Sequence, residues 1–344
     1  MTYGRKQNYL PLYFTIIFLV WMSMVFYTFP EALDIVHYYD YTEMHSLHYN
    51  SVNEYIEFEL SSHIDFIYLS LLFLCHTWNL SPDIVTIFYI SLYYISICAI
   101  THKIQKQSIP GIIIFFVLLC APYCWVQSIS RNLAAIATVY LAIYQFLCGR
   151  KIWGLILSIA AIFTHFSIIM LILICITSYF LRSFKIHRKI IYLIFISSII
   201  LSFLAPSIFL DFIIHFADNS DNHYNAYATL ESQAFLLNPY LGLGDKIPML
   251  YLYLSSIYLL LINKKQDFFF WVLLILCSLL GFAFFTSTMF VQRIAMMMPL
   301  FVAGNVCSIY SQSHIYRRQL YVLSAIGSLF ILWNFWAYRL NFQF

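Results

Sequence analysis

Two arginines, Arg131 and Arg293, are among the few basic residues that break a pattern which otherwise sorts charge by sign, and both have neighbours suited to holding an anion. Arg131 follows Gln127-Ser128-Ile129-Ser130 and leads into Asn132-Leu133-Ala134-Ala135, so it is expected at the start of a helix. There, unpaired N–H groups and the helix dipole already favour negative charge. Arg293, after Gln292, is expected in a similar position at the outer junction of a later span. The planar guanidinium fork suits phosphate or diphosphate oxygens better than an ammonium does. Groups able to move a proton are also on hand. Asp34, Asp40 and Asp65 fall between the first apolar runs, and His165 sits in an otherwise apolar stretch just before Ser167. Each can serve as a general base, and His165 equally as a packing or capping residue.

Those residues need elements to position them, and composition says which kind. Of 344 residues, 62% are hydrophobic and 10% charged, and the apolar residues come in runs of about twenty, the length that crosses a ~30 Å hydrocarbon core as helix. No run alternates apolar and polar at period two, as a membrane barrel strand does, and an open sheet leaves backbone groups unsatisfied in lipid. The expected fold is all-α: a polytopic membrane protein, one integral domain over 1–344, of about 11–12 transmembrane helices. The first run, Leu10 to Phe29, lacks a small-residue cleavage site and is expected to be retained. All eight cysteines lie in apolar stretches and read as packing residues rather than an exported disulfide set.

Charge then sets the topology. Fourteen of the eighteen Lys/Arg fall in six clusters: Arg5/Lys6, Lys103/Lys106, Arg150/Lys151, Arg182/Lys185/Arg188/Lys189, Lys264/Lys265 and Arg317/Arg318. The positive-inside rule places all six in the cytoplasm. Consecutive clusters are joined by paired crossings at 110–148, 152–181, 190–263 and 267–312, with a last span near 319–338. The 152–181 stretch must go in and return, which puts Phe163-Thr164-His165-Phe166-Ser167 near the outer face. Between Lys6 and Lys103 three apolar runs are one too many for this parity. Ile64 to Leu80, with Asp65, His76 and Asn79, is the run expected to lie along the outer surface, giving eleven crossings; a crossing of that run, giving twelve, is the alternative. Fourteen of the fifteen acids then face outward and only Asp267 inward. The cations outside the clusters are Arg131, Lys246, Arg293 and Arg339. A charge at the membrane boundary is costly unless it snorkels or pairs, so it marks either such a contact or a substrate path.

The outer segments, about 30–82 and 211–246, hold aromatic and amide residues suited to sugars. Tyr38 and Tyr39 lie in the first, and Tyr224, Asn225, Tyr227 and Tyr240 in the second. Tyrosine faces stack on pyranose rings while amides and carboxylates hydrogen-bond hydroxyls; an interfacial aromatic belt accounts for many of the 28 tyrosines equally well. His37, His45 and His48 match no tight metal-ligand spacing, and no metal or cofactor is expected.

In order, Asp34…Tyr38-Tyr39-Asp40, then His63-Ile64-Asp65-Phe66, then Ser130-Arg131-Asn132-Leu133-Ala134, the basic turn Arg150-Lys151, and Phe163-Thr164-His165-Phe166-Ser167 resemble the EpsG-like branch of the Wzy polysaccharide polymerases over most of the chain. The family pattern reads roughly as an aspartate with tyrosines, a Lys-Asp-Pro-Leu-Phe-Tyr-like segment, Arg-Gln-x-x-Ala and Phe-His-x-Ser. Here the lysine and proline are missing around Asp65, Asn132 replaces glutamine, and Thr164 separates Phe163 from His165. The resemblance implies a GT-C-like fold with juxtamembrane helices in the first outer loop. It implies a metal-independent glycosyltransferase of the bacterial inner membrane, active on the periplasmic face, that joins undecaprenyl-diphosphate-linked oligosaccharide repeat units in O-antigen, lipopolysaccharide, capsule or exopolysaccharide synthesis. In that reading Arg131, Arg293, Asn132, Gln292, Tyr38 and Tyr39 bind diphosphate and glycan, and Asp34, Asp40, Asp65 or His165 takes the acceptor proton, Asp34 first. A chain-length regulator protein is an implied partner, and nucleic acid is not. An O-antigen ligase shares the donor and the outer arginines; a lipid-linked oligosaccharide flippase would carry cations deep in its helices, which these spans lack. The residues do not announce repeat-unit sugars, linkage, anomeric outcome or oligomeric state.

Overall fold

Apolar runs without period-two alternation fold as helices, and the computed structural model describes residues 10–26, 34–49, 51–62, 66–105, 130–204, 243–283 and 288–337. Among these residues there are fourteen α-helices and one 3-10 turn. They are α1 (Leu10–Phe26), α2 (Asp34–Ser46), α3 (Val52–Ser62), α4 (Ile67–Thr77), α5 (Asp83–Ile104), α6 (Ser130–Leu147), α7 (Lys151–Thr164), the 3-10 turn Phe166–Ile168, α8 (Ile169–Leu181), α9 (Arg188–Leu204), α10 (Leu243–Ile262), α11 (Phe268–Ala283), α12 (Thr288–Met297), α13 (Pro299–Tyr310) and α14 (His314–Ala337). Two compact units form: Met1–Ala99 with Gln127–Phe166 and Arg339–Phe344, and Ile100–Val126 with Ser167–Tyr338.

In the first unit the closest pairing is α6 against α7. Ala134, Ala135, Ala137 and Ala142 are buried on α6 and let backbones approach, as small residues do between membrane helices. The turn between them passes through Gly149 at φ +79°, a left-handed conformation that glycine adopts without a Cβ penalty. Next to it stand Arg150 and Lys151, both exposed. Segment 30–63, expected as an outer loop, contains the short helices α2 and α3, and both pack on α4. Tyr55 of α3 stacks flat on Phe73 of α4, 4.2 Å between centroids at 7°, a pair stronger than its buried area alone accounts for. With eleven residues, α4 is about 16 Å long at 1.5 Å per residue, well short of a ~30 Å core.

In the second unit α11 is the central helix, packed by α8, α9, α10, α12 and α13. Eleven of its sixteen residues are buried, including Phe269, Phe270 and Trp271. Gly304 of α13 faces it so closely that a Cβ there would lie 2.4 Å from Phe269 Cδ1. Between α12 and α13 the chain bends by 42°. Pro299 sits at the first turn of α13, where its missing N–H costs nothing and it cannot continue the preceding helix.

By length and hydropathy α5 alone among the described residues is long and apolar enough to cross a membrane, and the bent pair α12–α13 passes if counted as one span. Other expected crossings are shorter apolar helices, α7, α8, α10 and α11 among them. Large apolar side chains stand exposed along α7 (Ile152, Trp153, Leu155, Ile156) and α9 (Tyr192, Leu193, Ile196, Ile200). Such apolar rows fit helices whose outer faces meet hydrocarbon, since water-soluble monomers rarely carry them. The second outer segment, 211–246, lies outside the described residues up to the start of α10. Cys75, Cys98, Cys277 and Cys307 are buried thiols within helices, and Cys148 and Cys175 are half-buried thiols; Cys120 and Cys124 lie outside the described residues.

Candidate functional site

Arg131 is the second residue of α6, as its sequence context predicts. Its guanidinium carbon lies 4.7 Å from the centroid of the Tyr38 ring. A guanidinium this close to an aromatic ring gains a cation–π contact, and its planar fork of donors suits an oxyanion. Tyr38 in turn meets the ring of Tyr68 edge-on at 6.1 Å. One element each from α2, α4 and α6 thus builds an aromatic seat under the cation.

Next to Arg131, Asn132 is 2% exposed, and neither its amide nitrogen nor its amide oxygen has a hydrogen-bond partner. A buried amide left unsatisfied costs of order 1–3 kcal/mol, and such groups call for an explanation such as a ligand or a bound water. At the N-terminus of α6, beside a fixed cation, a ligand oxygen would supply it.

Along α2, Tyr38 and Tyr41 are three residues apart and share a face, and each is tied to a different partner. Tyr41 donates its hydroxyl to Glu59 Oε1 of α3 at 3.0 Å. Burial and the Glu59 charge push the Tyr41 hydroxyl well above its ordinary range, with Arg131 acting weakly in the opposite direction. Glu59 itself is 0% exposed. Tyr55 is raised mainly by burial and then by the same carboxylate. His45 completes this layer with its ring 4.3 Å from Tyr41 and 5.1 Å from Phe58; it is packed among aromatics rather than grouped with metal ligands. No cluster of three metal-ligating side chains occurs among the described residues.

Tyr39 faces the other way. Its hydroxyl donates to Asp83 Oδ1 at 3.0 Å and lies 3.0 Å from Thr86 Oγ1, and Tyr68 reaches the same threonine at 3.3 Å. Ser81 donates to the second oxygen of Asp83 at 3.0 Å. Tyr39 therefore fastens α2 to the start of α5, and burial, foremost, raises its hydroxyl above the ordinary range.

His165 ends α7 in an extended conformation (φ −162°, ψ 116°) and is 7% exposed. The helix break expected at Phe163–Ser167 thus falls on the histidine itself. Phe163 beside it packs on Phe66 at 5.7 Å, joining this break to the segment ahead of α4. Asp40 is exposed on α2. Asp34 is the first residue of α2, with a side chain outside the described residues, as is Asp65 altogether.

Arg293 and Gln292 belong to the second unit. Both are half-buried, and Arg293 is the sixth of the ten residues of α12 rather than a helix start. Its neighbour Ile294 and the methionines that follow are fully buried, so α12 is already under way where the sequence pattern led one to expect a helix start.

The structure therefore brings Arg131, Asn132 and Tyr38 to one place and adds Glu59, Tyr41 and Asp83, which sequence reasoning did not single out. Glu59 gave no signal of its own, since it stands in the acidic stretch Glu54–Glu57–Glu59 that reads as a solvated face. Only the spacing Tyr55–Glu59, one helical turn, hinted at a buried pair.

No curated protein and no solved structure matches the chain. The family model for the EpsG family matches residues 11–344, nearly the whole length, and the protein belongs to the EpsG family.

Proposed function

We propose that this protein is a polysaccharide polymerase of the bacterial inner membrane that joins undecaprenyl-diphosphate-linked oligosaccharide repeat units on the periplasmic face. Family membership supports a polysaccharide polymerase-like membrane protein at a coarse level. The observation that carries the finer reading is the seat of Arg131: a cation stacked on Tyr38 at a helix N-terminus, beside an amide buried without a partner.

In the proposed reaction the bond between the anomeric carbon and the diphosphate oxygen breaks, and the diphosphate leaves with the electron pair. An acceptor hydroxyl oxygen forms the new bond to that carbon and gives up its proton. Arg131, the N–H groups of α6 and the Asn132 amide hold the diphosphate and stabilise the charge that develops on it. Arg293, on the second unit, is the other cation that the sequence pattern suggests for anionic substrate. A carboxylate or imidazole takes the acceptor proton, with Asp34 first among Asp34, Asp40, Asp65 and His165. No metal enters the scheme; the Arg131 guanidinium carries the charge-stabilising role.

The test is the glycan pattern of a strain lacking the native gene and complemented with Arg131→Ala or Arg293→Ala. Loss of long-chain polymer with one repeat unit still attached to the lipid core is the expected result. Loss of all glycan from the core would indicate a ligase instead, and intact long chains in both variants would overturn the site.

A further inference from the structure

At one end of the second unit, three polar loops are laced together by side-chain amides. Gln266 clamps the loop after α8, accepting from the Ile186 N–H at 2.6 Å and donating to the Ile186 carbonyl at 2.8 Å. Gln312, in the turn before α14, accepts from the Lys264 N–H at 3.3 Å and donates to Asn263 Oδ1 at 2.8 Å. Asn263 also accepts from the Lys265 N–H at 2.9 Å and donates to Asn305 at 2.7 Å. The loops so joined, 182–187, 263–267 and 311–313, carry or adjoin Arg182, Lys185, Lys264, Lys265, Arg317 and Arg318, with Arg188 and Lys189 opening the next helix. The one acid among them, Asp267, is 3.3 Å from Lys265 and caps α11 through two backbone N–H groups.

Two further features separate this face from an ordinary hydrated basic surface. Phe184 and Ile315, within the same loop and helix start, are 61% and 67% exposed, and Arg182 and Arg317 lie over the rings of Tyr179 and Tyr310 at 3.8 and 4.7 Å. Such a mixture of apolar tips, aromatic rings and cations belongs at a membrane–water interface. There is also a cavity of about 290 Å³ whose wall runs from Lys265 and Asp267 through Ser308 and Ser311 to Phe269 and Gly304. It is small for a ligand pocket and is lined by both polar and apolar groups.

We propose that this laced face is a binding site for anionic phospholipid headgroups, distinct from the Arg131 site. Phosphate oxygens meet the cations at the rim, the headgroup enters the cavity beside Lys265, Ser308 and Ser311, and the acyl chains run along the exposed apolar tips. Each cation near such a surface strengthens the attraction severalfold, but the amide clamps are what hold cations from three loops on one face. Charge alone is therefore not enough, and removing the clamps weakens binding with every charge in place.

The experiment counts the phosphatidylglycerol and phosphatidylcholine molecules retained by the detergent-purified full chain, by native mass spectrometry after mixing with each lipid. Phosphatidylglycerol is retained preferentially by the unmodified protein. The exposed-charge variant Lys185→Gln/Lys264→Gln/Arg318→Gln lowers that retention about a hundredfold, and Gln266→Ala/Gln312→Ala lowers it with all charges present. Arg150→Gln/Lys151→Gln, in the basic turn of the other unit, leaves it unchanged. Equal retention of the two lipids, an equal drop in the Arg150/Lys151 variant, or no drop in the charge variant would overturn the proposal. Displacement of the lipid by millimolar inorganic phosphate would overturn it too, by showing a site for the free ion.

Discussion

A buried carboxylate must be paid for by its surroundings, and Glu59 is the sharpest case in the chain. It is 0% exposed and held at 3.0 Å by the hydroxyl of Tyr41, which shares a face of α2 with Tyr38. Removing it leaves the Tyr41 hydroxyl buried without an acceptor, so Glu59→Ala is expected to destabilise the first unit by about 1–3 kcal/mol. Glu59→Gln, which keeps an acceptor oxygen, is expected to cost less; thermal unfolding of the purified protein reads both. Arg131 makes a different demand. Arg131→Ala removes charge and stacking, whereas Arg131→Lys keeps the charge and loses the planar fork. Both are expected to abolish long-chain glycan while leaving the unfolding temperature nearly unchanged, and full polymer with lysine would show that charge alone suffices. The tyrosines add a pH dependence. Tyr39, Tyr41 and Tyr55 all have hydroxyls raised above the ordinary 10.0, chiefly by burial. The unfolded chain loses these protons as pH passes 10 and the folded chain keeps them. Their contribution is thus complete below pH 10 and is lost as pH rises above it; thermal unfolding at pH 9 and pH 11 is expected to show a smaller loss in a Tyr41→Phe/Tyr55→Phe variant. Arg131 was legible in the sequence because it breaks a charge pattern. Glu59 was not, because burial of one acid among several depends on which face of α3 meets α4, and a single helical turn of sequence does not fix that.

At the scale of elements, packing rests on places where two helices approach without side chain between them. Gly304 of α13 is such a place: a Cβ would fall 2.4 Å from Phe269 Cδ1 and 2.9 Å from Phe269 Cβ. The clash reaches the root of the phenylalanine, so rotation of its ring cannot relieve it. Gly304→Ala is expected to cost about 1–3 kcal/mol through displacement of α13 from α11, read as lower expression and a lower unfolding temperature. Asn305 next to it bridges the same pair, donating to the carbonyls of Phe269 and Phe301 at 2.9 and 2.8 Å. Other boundaries follow from local chemistry and charge. Pro299 stops α12 because its ring cannot continue the preceding turn, and the break after Thr164 falls where basic residues at both ends of 152–181 demanded one. The start of α6 at Ser130–Arg131 was readable from the polar run ahead of an alanine-rich stretch. Arg293 was not: the sequence near Gln292 looks like a boundary, yet α12 begins earlier, at Thr288, and carries the arginine in its middle. Helices in the first outer loop were implied only by the family resemblance and could not be read from the residues of segment 34–62, since their apolar residues are tyrosines and phenylalanines mixed with acids and never form a long apolar run.

For the whole molecule, the sign of charge is a topological signal independent of packing, because transfer of a charged segment through hydrocarbon is costly regardless of how helices pack. Sign sorting left one parity problem, the run Ile64 to Leu80, and packing now bears on it. The helix in that run, α4, has eleven residues, half the length of α5 at twenty-two. It is covered by α2 and α3, with Tyr55 stacked on Phe73 and Tyr38 against Tyr68. Those two covering helices carry Asp40, Glu43, Glu54 and Glu57 on their exposed or half-exposed sides. If α4 crossed the membrane, its partners α2 and α3 would have to enter hydrocarbon alongside it with those acids, at a cost of up to about 3 kcal/mol for each. If α4 lies at the outer surface, the acids stay in water and the aromatic layer alone meets the interface. The expected outcome is that His48→Cys, exposed at the turn after α2, reacts with a membrane-impermeant maleimide in intact spheroplasts above the background of the unsubstituted chain. Reaction only after lysis would place α2 and α3 in the cytoplasm and require α4 to cross. That outcome would also remove Tyr38 and Arg131 from the face where a lipid-diphosphate donor is presented, so the labelling decides topology and the location of the anion seat together.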